Sequence, residues 1–517
     1  MKISVTQKFE LGLEVPALVV PVLQDALAAD PLIARLDRRS GGRILEAAAQ
    51  EKFVGKPGQI ITFNLAGGKL PRRLCLVGLG ELPALSSEKY RRAAGTVAGY
   101  FRSWNVNSAT LACRALPARA KGISADDICG ALAEGVSLGL YRFEKYKSVE
   151  KDSPAYTGLD ELELFFYDGR GAPLRRDAEV LAAAASRALL VAEGVNSARE
   201  LVNEIPAELT PEALAEVAVE LAKSHKGLSC RVLDEQEMER EKMGATLAVA
   251  RGSVNPPRFI ELSWEPESKP ASDKLLVLVG KGVCFDSGGL NIKPGDHMAG
   301  MKTDMAGAAA VLGAMEAIAA LKLPVRVTAV VAAVENMPGG SSYKPDDIVR
   351  ALDGTTIEIG NTDAEGRLTL ADALAWATGK LKADRVVDLA TLTGACVVAL
   401  GPSTAGLFGN DEDWAGMVGS AADEAGEKSC RLPLDEDMRA DIRSEFADLK
   451  NIGASRWGGA ITAALFLQKF AGETPWVHMD IAGPARAEKK SHYNSPGGTG
   501  YGVRLLVRLA AALASRK

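Results

Sequence analysis

A chain of 517 residues, 47% apolar and 25% charged, exceeds what one hydrophobic core serves, and its composition excludes a disordered or collagen-like polymer. A net charge of −5 with no basic block means nucleic acid is not favoured as the principal partner. Seven scattered cysteines without a C-x-x-C pair argue against a disulfide framework or a cysteine zinc site, and four histidines without H-E-x-x-H leave metal binding to carboxylates.

The first eight residues hold no long apolar core, so no signal peptide is expected. Strands are predicted at 17–23, 60–65, 74–79, 109–113 and 161–167, and helices at 87–101 and 126–140, an alternation that argues for an α/β domain over residues 1–176. Gly78-Leu79-Gly80 hints at a nucleotide-type turn, yet the third glycine and the acidic partner are missing. A polar break at 169–177 precedes one long alanine-rich helix, so residues 177–204 are read as a connecting helix. Thr210-Pro211 then marks a helix start, with Thr as N-cap and Pro at the first position. Residues 205–517 form the second, larger domain. Its predicted strands are 229–232, 259–264, 275–279, 325–334, 356–359, 386–389 and 476–480, with helices between several of them. The fold class is therefore α/β with two domains, the larger holding a mixed, mainly parallel sheet flanked by helices. Residues 305–321 are alanine-dominated and interrupted by Glu316, which favours a buried helix over a membrane span. The acidic stretches 411–427 and 435–445 are read as solvated loops and helix faces.

Chemistry concentrates in two places. The first is Gly360-Asn361-Thr362-Asp363-Ala364-Glu365-Gly366-Arg367-Leu368. In an extended segment, Asp363, Glu365 and Arg367 share one face. A strand precedes them and a helix is predicted from Thr369 to Gly379, so they sit at a strand-to-helix edge, where open α/β sheets bind ligands. The second is Gly280-Lys281-Gly282-Val283-Cys284-Phe285-Asp286-Ser287-Gly288-Gly289, with Lys293 and Asp304 beyond. The strand is expected to end at Gly280, so Lys281 and Asp286 emerge at the same kind of edge, and Thr303 or Asp304 caps the next helix. Four carboxylates converging there would repel unless cations neutralised them, and divalent metal is the usual answer. Isolated, each cluster also fits a solvated salt-bridge group, Lys281 pairing simply with Asp286. Cys284 is read as a packing residue and His297 as a polar loop residue. No G-K-[S/T] follows the glycines, which excludes a P-loop.

These strings resemble the leucyl aminopeptidase family of cytosolic metallo-aminopeptidases. The matching segments are Val279–Asn291 with Lys293, Met301–Ala309, Asn361–Leu374, Asp388–Ala395, Trp476–Ala485 and Gly497–Leu506, covering roughly residues 195–517 in the family's order. Ala306 departs from the glycine that many relatives carry. The resemblance implies an aminopeptidase that releases Leu- or Met-like N-terminal residues from peptide substrates with two divalent metal ions per subunit, Mn or Zn, with Mg or Co also compatible. Lys281, Asp286, Asp304, Asp363 and Glu365 would be the ligands. Asp286 and Glu365 would bridge, Lys281 and Asp304 would complete one shell, and Asp363 the other. A ligating Lys281 must be neutral. Lys293 would stabilise the oxyanion, and Arg367 would hold bicarbonate as general base. Met301, Thr391, Leu392, Gly394, Ala482 and Ala485 would line the pocket for the first side chain. The resemblance further implies a homo-hexamer, a cytoplasmic location and an assembly role for the N-terminal domain. The alternative is a catalytically silent scaffold or DNA-binding protein on the same fold.

Overall fold

Two sheets, each in its own compact unit, organise the computed structural model, which describes residues 1–6, 15–65, 70–115, 123–148, 158–174 and 178–515. Gln7 and Lys8 of the leader reading, and the last three residues of the expected 169–177 break, lie outside the described residues. One unit comprises Met1–Ala192 with Lys489–Ser495, and the other Glu193–Glu488 with Pro496–Lys517. The helix Ala178–Asn203 begins in the first and ends in the second.

Unit 1 holds β1 (Lys2–Thr6), β2 (Ala17–Leu23), β3 (Ile60–Asn64), β4 (Arg73–Gly80), β5 (Ser108–Arg114) and β6 (Glu161–Tyr167). Their order is β1-β6-β5-β2-β4-β3, and every pairing is parallel except β3 with β4. Helices Pro31–Arg39 and Arg43–Gln50 cover one face, through Leu32, Ile33 and Ile44 against Leu18, Val20 and Val22. Helices Ser87–Ser103 and Ala125–Leu140 cover the other, through Val97 and Leu132 against Val19, Cys75 and Leu111. The segment Lys489–Ser495 joins this unit because the Tyr493 hydroxyl donates to Glu88 Oε1 at 2.8 Å.

Unit 2 is built on an eight-stranded sheet of β7 (Leu228–Leu233), β8 (Arg258–Trp264), β9 (Leu275–Asp286), β10 (Arg326–Asn336), β13 (Arg385–Ala390), β14 (Ala405–Gly409), β15 (Ser429–Arg431) and β17 (Trp476–Asp480). A small separate sheet is made of β11 (Ile348–Arg350), β12 (Thr356–Glu358) and β16 (Leu449–Lys450). The large sheet runs β15-β14-β17-β13-β9-β10-β8-β7, parallel in its centre and antiparallel where β14 meets β17 and where β8 meets its neighbours. Central strands covered on both sides are apolar throughout rather than alternating, and ten of the eleven residues of β10 are buried. Helices Gly366–Ala375 and Gly459–Ala471 pack on the face that carries Val277 and Val279. The helix Ala306–Ala320 lies on the opposite face. A Cβ on Gly280 would fall 2.7 Å from Ala308 Cα, so only glycine lets the two backbones approach. That helix passes length and composition tests for a membrane span together with the short turn before it, yet 83% of its most apolar window is buried inside unit 2, as a core helix requires.

Boundaries beside the two clusters differ from expectation. β9 does not stop at Gly280 but continues to Asp286, because β10 pairs with it that far. The helix expected from Thr369 begins at Gly366. Neither Thr303 nor Asp304 caps the helix that follows: Met305 stands at its N-cap position, without a side-chain cap. The stretch 411–427 is also less solvated than its charge suggests. Trp414 and Val418 of the helix Glu412–Ala425 are buried, and Glu427 accepts from Gly502 N and Leu505 N at 3.0 and 2.9 Å.

Candidate metal centre

Lys281 and Asp286 are five residues apart, an odd spacing that would put them on opposite faces of a regular strand. A bulge prevents this. Val334 faces Val283 and Glu335 faces Phe285, leaving Cys284 as an extra residue in β9. An inserted residue re-aims the side chains beyond it, and both Lys281 and Asp286 reach the same pocket. Cys284 itself is 1% exposed, and burial pushes its thiol up.

The 361–367 segment is a turn running into a helix, not the extended segment expected. Ala364 N donates to Asn361 O at 3.2 Å, Asp363 N donates to Asn361 Oδ1 at 2.8 Å, and the helix begins at Gly366. Asp363 and Glu365 still converge. Together with Asp286 they place one carboxylate oxygen each within 4.8 Å of one another. Arg367 takes another course. Its Nη1 donates to Asn451 O at 2.8 Å, and its buried Nε has no hydrogen-bond partner among the described residues. A Cβ on Gly366 would lie 2.5 Å from Lys281 Cε, so a larger residue there would displace that side chain from its carboxylates.

Two lysines thread the carboxylates. Lys281 Nζ lies 2.8 Å from Asp304 Oδ2, 2.8 Å from Glu365 Oε1 and 3.0 Å from Thr391 O. Lys293 Nζ lies 2.8 Å from Asp286 Oδ2 and 2.5 Å from Asp363 Oδ1. Burial alone would depress both ammonium groups, but the facing carboxylates outweigh it and hold both above the ordinary lysine range. With these partners Lys281 carries its proton, which a ligating role would require it to release. Burial, with Asp286 adding to it, pushes Glu365 up to about 8. Burial likewise raises Asp304 to about 6 and lifts Asp363. Glu365 Oε2 is buried without a hydrogen bond among the described residues. An orphaned carboxylate oxygen inside a tight carboxylate cluster fits a divalent cation.

Around this core lie groups that sequence reasoning did not single out. Asn336 Nδ2 donates to Asp286 Oδ1 and Thr362 O at 2.8 and 3.0 Å. The Tyr343 hydroxyl donates to Thr362 O at 2.7 Å, and Asn451 Nδ2 to Asn361 O at 2.7 Å. Thr362 N donates to Asn291 Oδ1 at 2.8 Å. Asn336 ends a strand predicted two residues too short, so its place at the shared edge was the available signal. Beneath the site, His478 Nδ1 and Asp388 Oδ1 are 2.6 Å apart, and Trp476 Nε1 donates to Asp388 Oδ2 at 2.6 Å.

The expected pocket residues fall in three groups. Thr391 Oγ1 donates to Asp304 Oδ1 at 2.7 Å, and Met301 opens the turn whose carbonyl accepts from Asp304 N. Leu392 N and Ala482 N both donate to Asp480 Oδ1 at 3.2 Å, while Thr393 Oγ1 donates to Asp480 Oδ2 at 2.6 Å. Ala485 is buried on the β17 side, and Gly394 is exposed at a helix start capped by Thr393. His297 is exposed and takes no part in the carboxylate cluster.

Among known proteins, the catalytic domain of the cytosol aminopeptidase family matches residues 196–507, and that family's N-terminal domain matches residues 19–150. A probable cytosol aminopeptidase of Persephonella marina is 42% identical over 507 residues, 98% of each chain. One of Aquifex aeolicus is 44% identical over 474 residues, 91% of each chain. Among solved structures, a mutant of tomato leucine aminopeptidase superposes with a TM-score of 0.87 at 37% identity, over 99% of this chain and 96% of that one. The bottromycin maturation enzyme BotP in complex with Mn gives 0.83 at 36% identity, over 97% and 100%.

Proposed function

The chain belongs to the cytosol aminopeptidase family, and from that premise we propose that it removes Leu- and Met-like N-terminal residues from peptides by two-metal hydrolysis. The observation that carries this reading is the Asp286, Asp363 and Glu365 cluster, with oxygens within 4.8 Å of one another. Lys281, Asp286, Asp304, Asp363 and Glu365 would hold the ions, Mn or Zn. Bound there, the ions would polarise the scissile carbonyl and ease deprotonation of water. The Mn complex of the structural neighbour BotP supports a metal of this kind.

The protein's own groups do the rest. Lys293 keeps its proton, since two carboxylates hold it, and its ammonium stabilises the negative charge that develops on the carbonyl oxygen. Arg367, whose buried Nε has no hydrogen-bond partner among the described residues, offers a donor to a small anion; bicarbonate held there would serve as general base, which accounts for a site without a catalytic histidine. Met301, Thr391, Leu392, Gly394, Ala482 and Ala485 line the pocket for the first side chain. Residues 205–517 carry catalysis, with 1–176 serving assembly. Exposed Val398, Phe446 and Trp457 support self-association, for which the family resemblance supplies the hexamer, and relatives named for the cytosol support a cytoplasmic location.

The test is hydrolysis of a leucine amide by metal-stripped protein with Mn or Zn restored, beside Asp363→Ala. Activity that returns with metal and stays absent in the variant is expected. Folded protein inactive with every metal would overturn the reading.

A further inference from the structure

Unit 1 carries a cavity of about 180 Å³ that hydrolysis in unit 2 does not use. It lies beyond the carboxyl ends of three parallel strands, lined by Val22 and Leu23 of β2, Leu79 of β4 and Arg114 of β5. The chain passes from β2 to β4 over one face of the sheet, and from β4 to β5, on the other side of β2, over the opposite face. Where successive crossovers diverge in this way, a crevice opens outside the strand ends, and open α/β sheets take ligands there.

The polar groups of this cavity are incompletely paired. Tyr90 is 1% exposed, yet its hydroxyl has no hydrogen-bond partner among the described residues. The half-buried Arg114 guanidinium has neither an ion pair nor a hydrogen bond among them. Asp30 is 4% exposed. Its Oδ1 accepts from Leu32 N, Ile33 N and the Tyr167 hydroxyl at 3.0, 3.1 and 3.1 Å, whereas among the described residues Oδ2 accepts only from that shared hydroxyl, at 3.0 Å. Tyr90 and Arg114 both line the cavity, so their unused donors are available to a ligand in it. Asp30 and Arg114 act on one another electrostatically without forming an ion pair. The cavity therefore offers one charge of each sign, while Val22, Ala26, Leu79 and Leu82 supply hydrocarbon.

We propose that this cavity binds a free apolar α-amino acid. Arg114 and the Tyr90 hydroxyl take its carboxylate, Asp30 Oδ2 takes its ammonium, and its side chain lies against Val22, Leu79 and Leu82. A cavity of roughly 150 Å³ accepts benzene, so this one suits about nine heavy atoms, the size of leucine. That the ligand is also a reaction product rests on the function proposed above; the zwitterion site does not.

Equilibrium dialysis of labelled leucine against the full-length protein tests this. Binding is expected to persist in Asp363→Ala and to weaken at least tenfold in both Arg114→Gln and Ala26→Trp, the latter taking up cavity space while leaving Arg114, Tyr90 and Asp30 in the chain. Both of these variants should hydrolyse leucine amide as the unaltered chain does. Absence of saturable binding, or binding indifferent to both substitutions, overturns the site. Equal affinity for 4-methylpentanoate, which lacks the ammonium, overturns the amino-acid assignment. Hydrolysis is read separately, so an inactive protein that still binds leucine through Arg114 would sink the enzymatic reading and leave this one standing.

Discussion

Arg367 shows how much one buried side chain can carry. It is 8% exposed, and burial lowers its guanidinium to about 10, with Glu365 opposing that shift. Holding a cation there without a carboxylate partner costs stability, and an anion that binds it would recover that cost. Arg367→Ala is expected to lower kcat on the order of a hundredfold, the scale of general-base catalysis, with a smaller change in KM; unchanged kcat would remove its role. Lys281 makes a second case. Each of its carboxylate partners is nearly sealed from water, so Lys281→Met in chelator should cost about 3–5 kcal/mol by urea unfolding, the penalty for stranding a buried charge. A smaller loss would mean that those carboxylates take up protons instead. At this scale the sequence named the charged residues that the structure gathers but could not rank them. Chemistry alone leaves Lys281 and Lys293 interchangeable, and nothing local to His478 or Asp388 announces that they meet on adjacent strands.

Elements decide where those residues point. Alternation along 361–367 suggested a common face for Asp363, Glu365 and Arg367, and the turn closed by Asn361 replaced it. The bulge at Cys284 was equally invisible, because it depends on pairing with β10. The strands and helices themselves were legible, since apolar runs and caps are local: β6 and β17 fall at the predicted residues, and Thr210 caps its helix through Ala213 N at 3.3 Å. Asp480 ties the ends of β13 and β17 together. Asp480→Ala would leave two amides and a hydroxyl unpaired, at about 1–3 kcal/mol each, and loosen the wall formed by Leu392 and Ala482. A larger rise in KM than fall in kcat, together with a flatter preference for the first residue, is expected from peptide kinetics; intact selectivity would refute it. Asp372 joins the helix Gly366–Ala375 to Thr246 N and Leu352 N, each at 2.8 Å. Burial raises its carboxyl from 3.8 to about 7 against these two donors. A raised acid contributes stability that is fully present below its unfolded value and lost as pH climbs through the folded one. The urea midpoint of unaltered protein should therefore fall between those two pH values more steeply than that of Asp372→Asn, and parallel curves would exclude this source.

At the scale of the whole molecule, length and composition gave two domains, and the structure has two units. The return of Lys489–Ser495 to unit 1 was not readable, because it rests on a contact between residues some four hundred positions apart in the chain. Metal removal should leave unit 2 folded, because Lys281 and Lys293 each pair with two of the carboxylates. Chelation is expected to lower the melting temperature while preserving far-ultraviolet circular dichroism, as loss of a ligand bound only to the native state does; collapse of the dichroism would contradict it. The turn carrying Asp363 and Glu365 is clamped by Asn291, Asn336, Tyr343 and Asn451, drawn from distant stretches of the chain. A protein engineer who grafted residues 360–368 onto another scaffold would transfer the carboxylates and leave the clamps behind. The portable unit of this chemistry is the interlocked sheet edge, and transplantation would succeed only by moving β9, β10 and the Asn451 loop together.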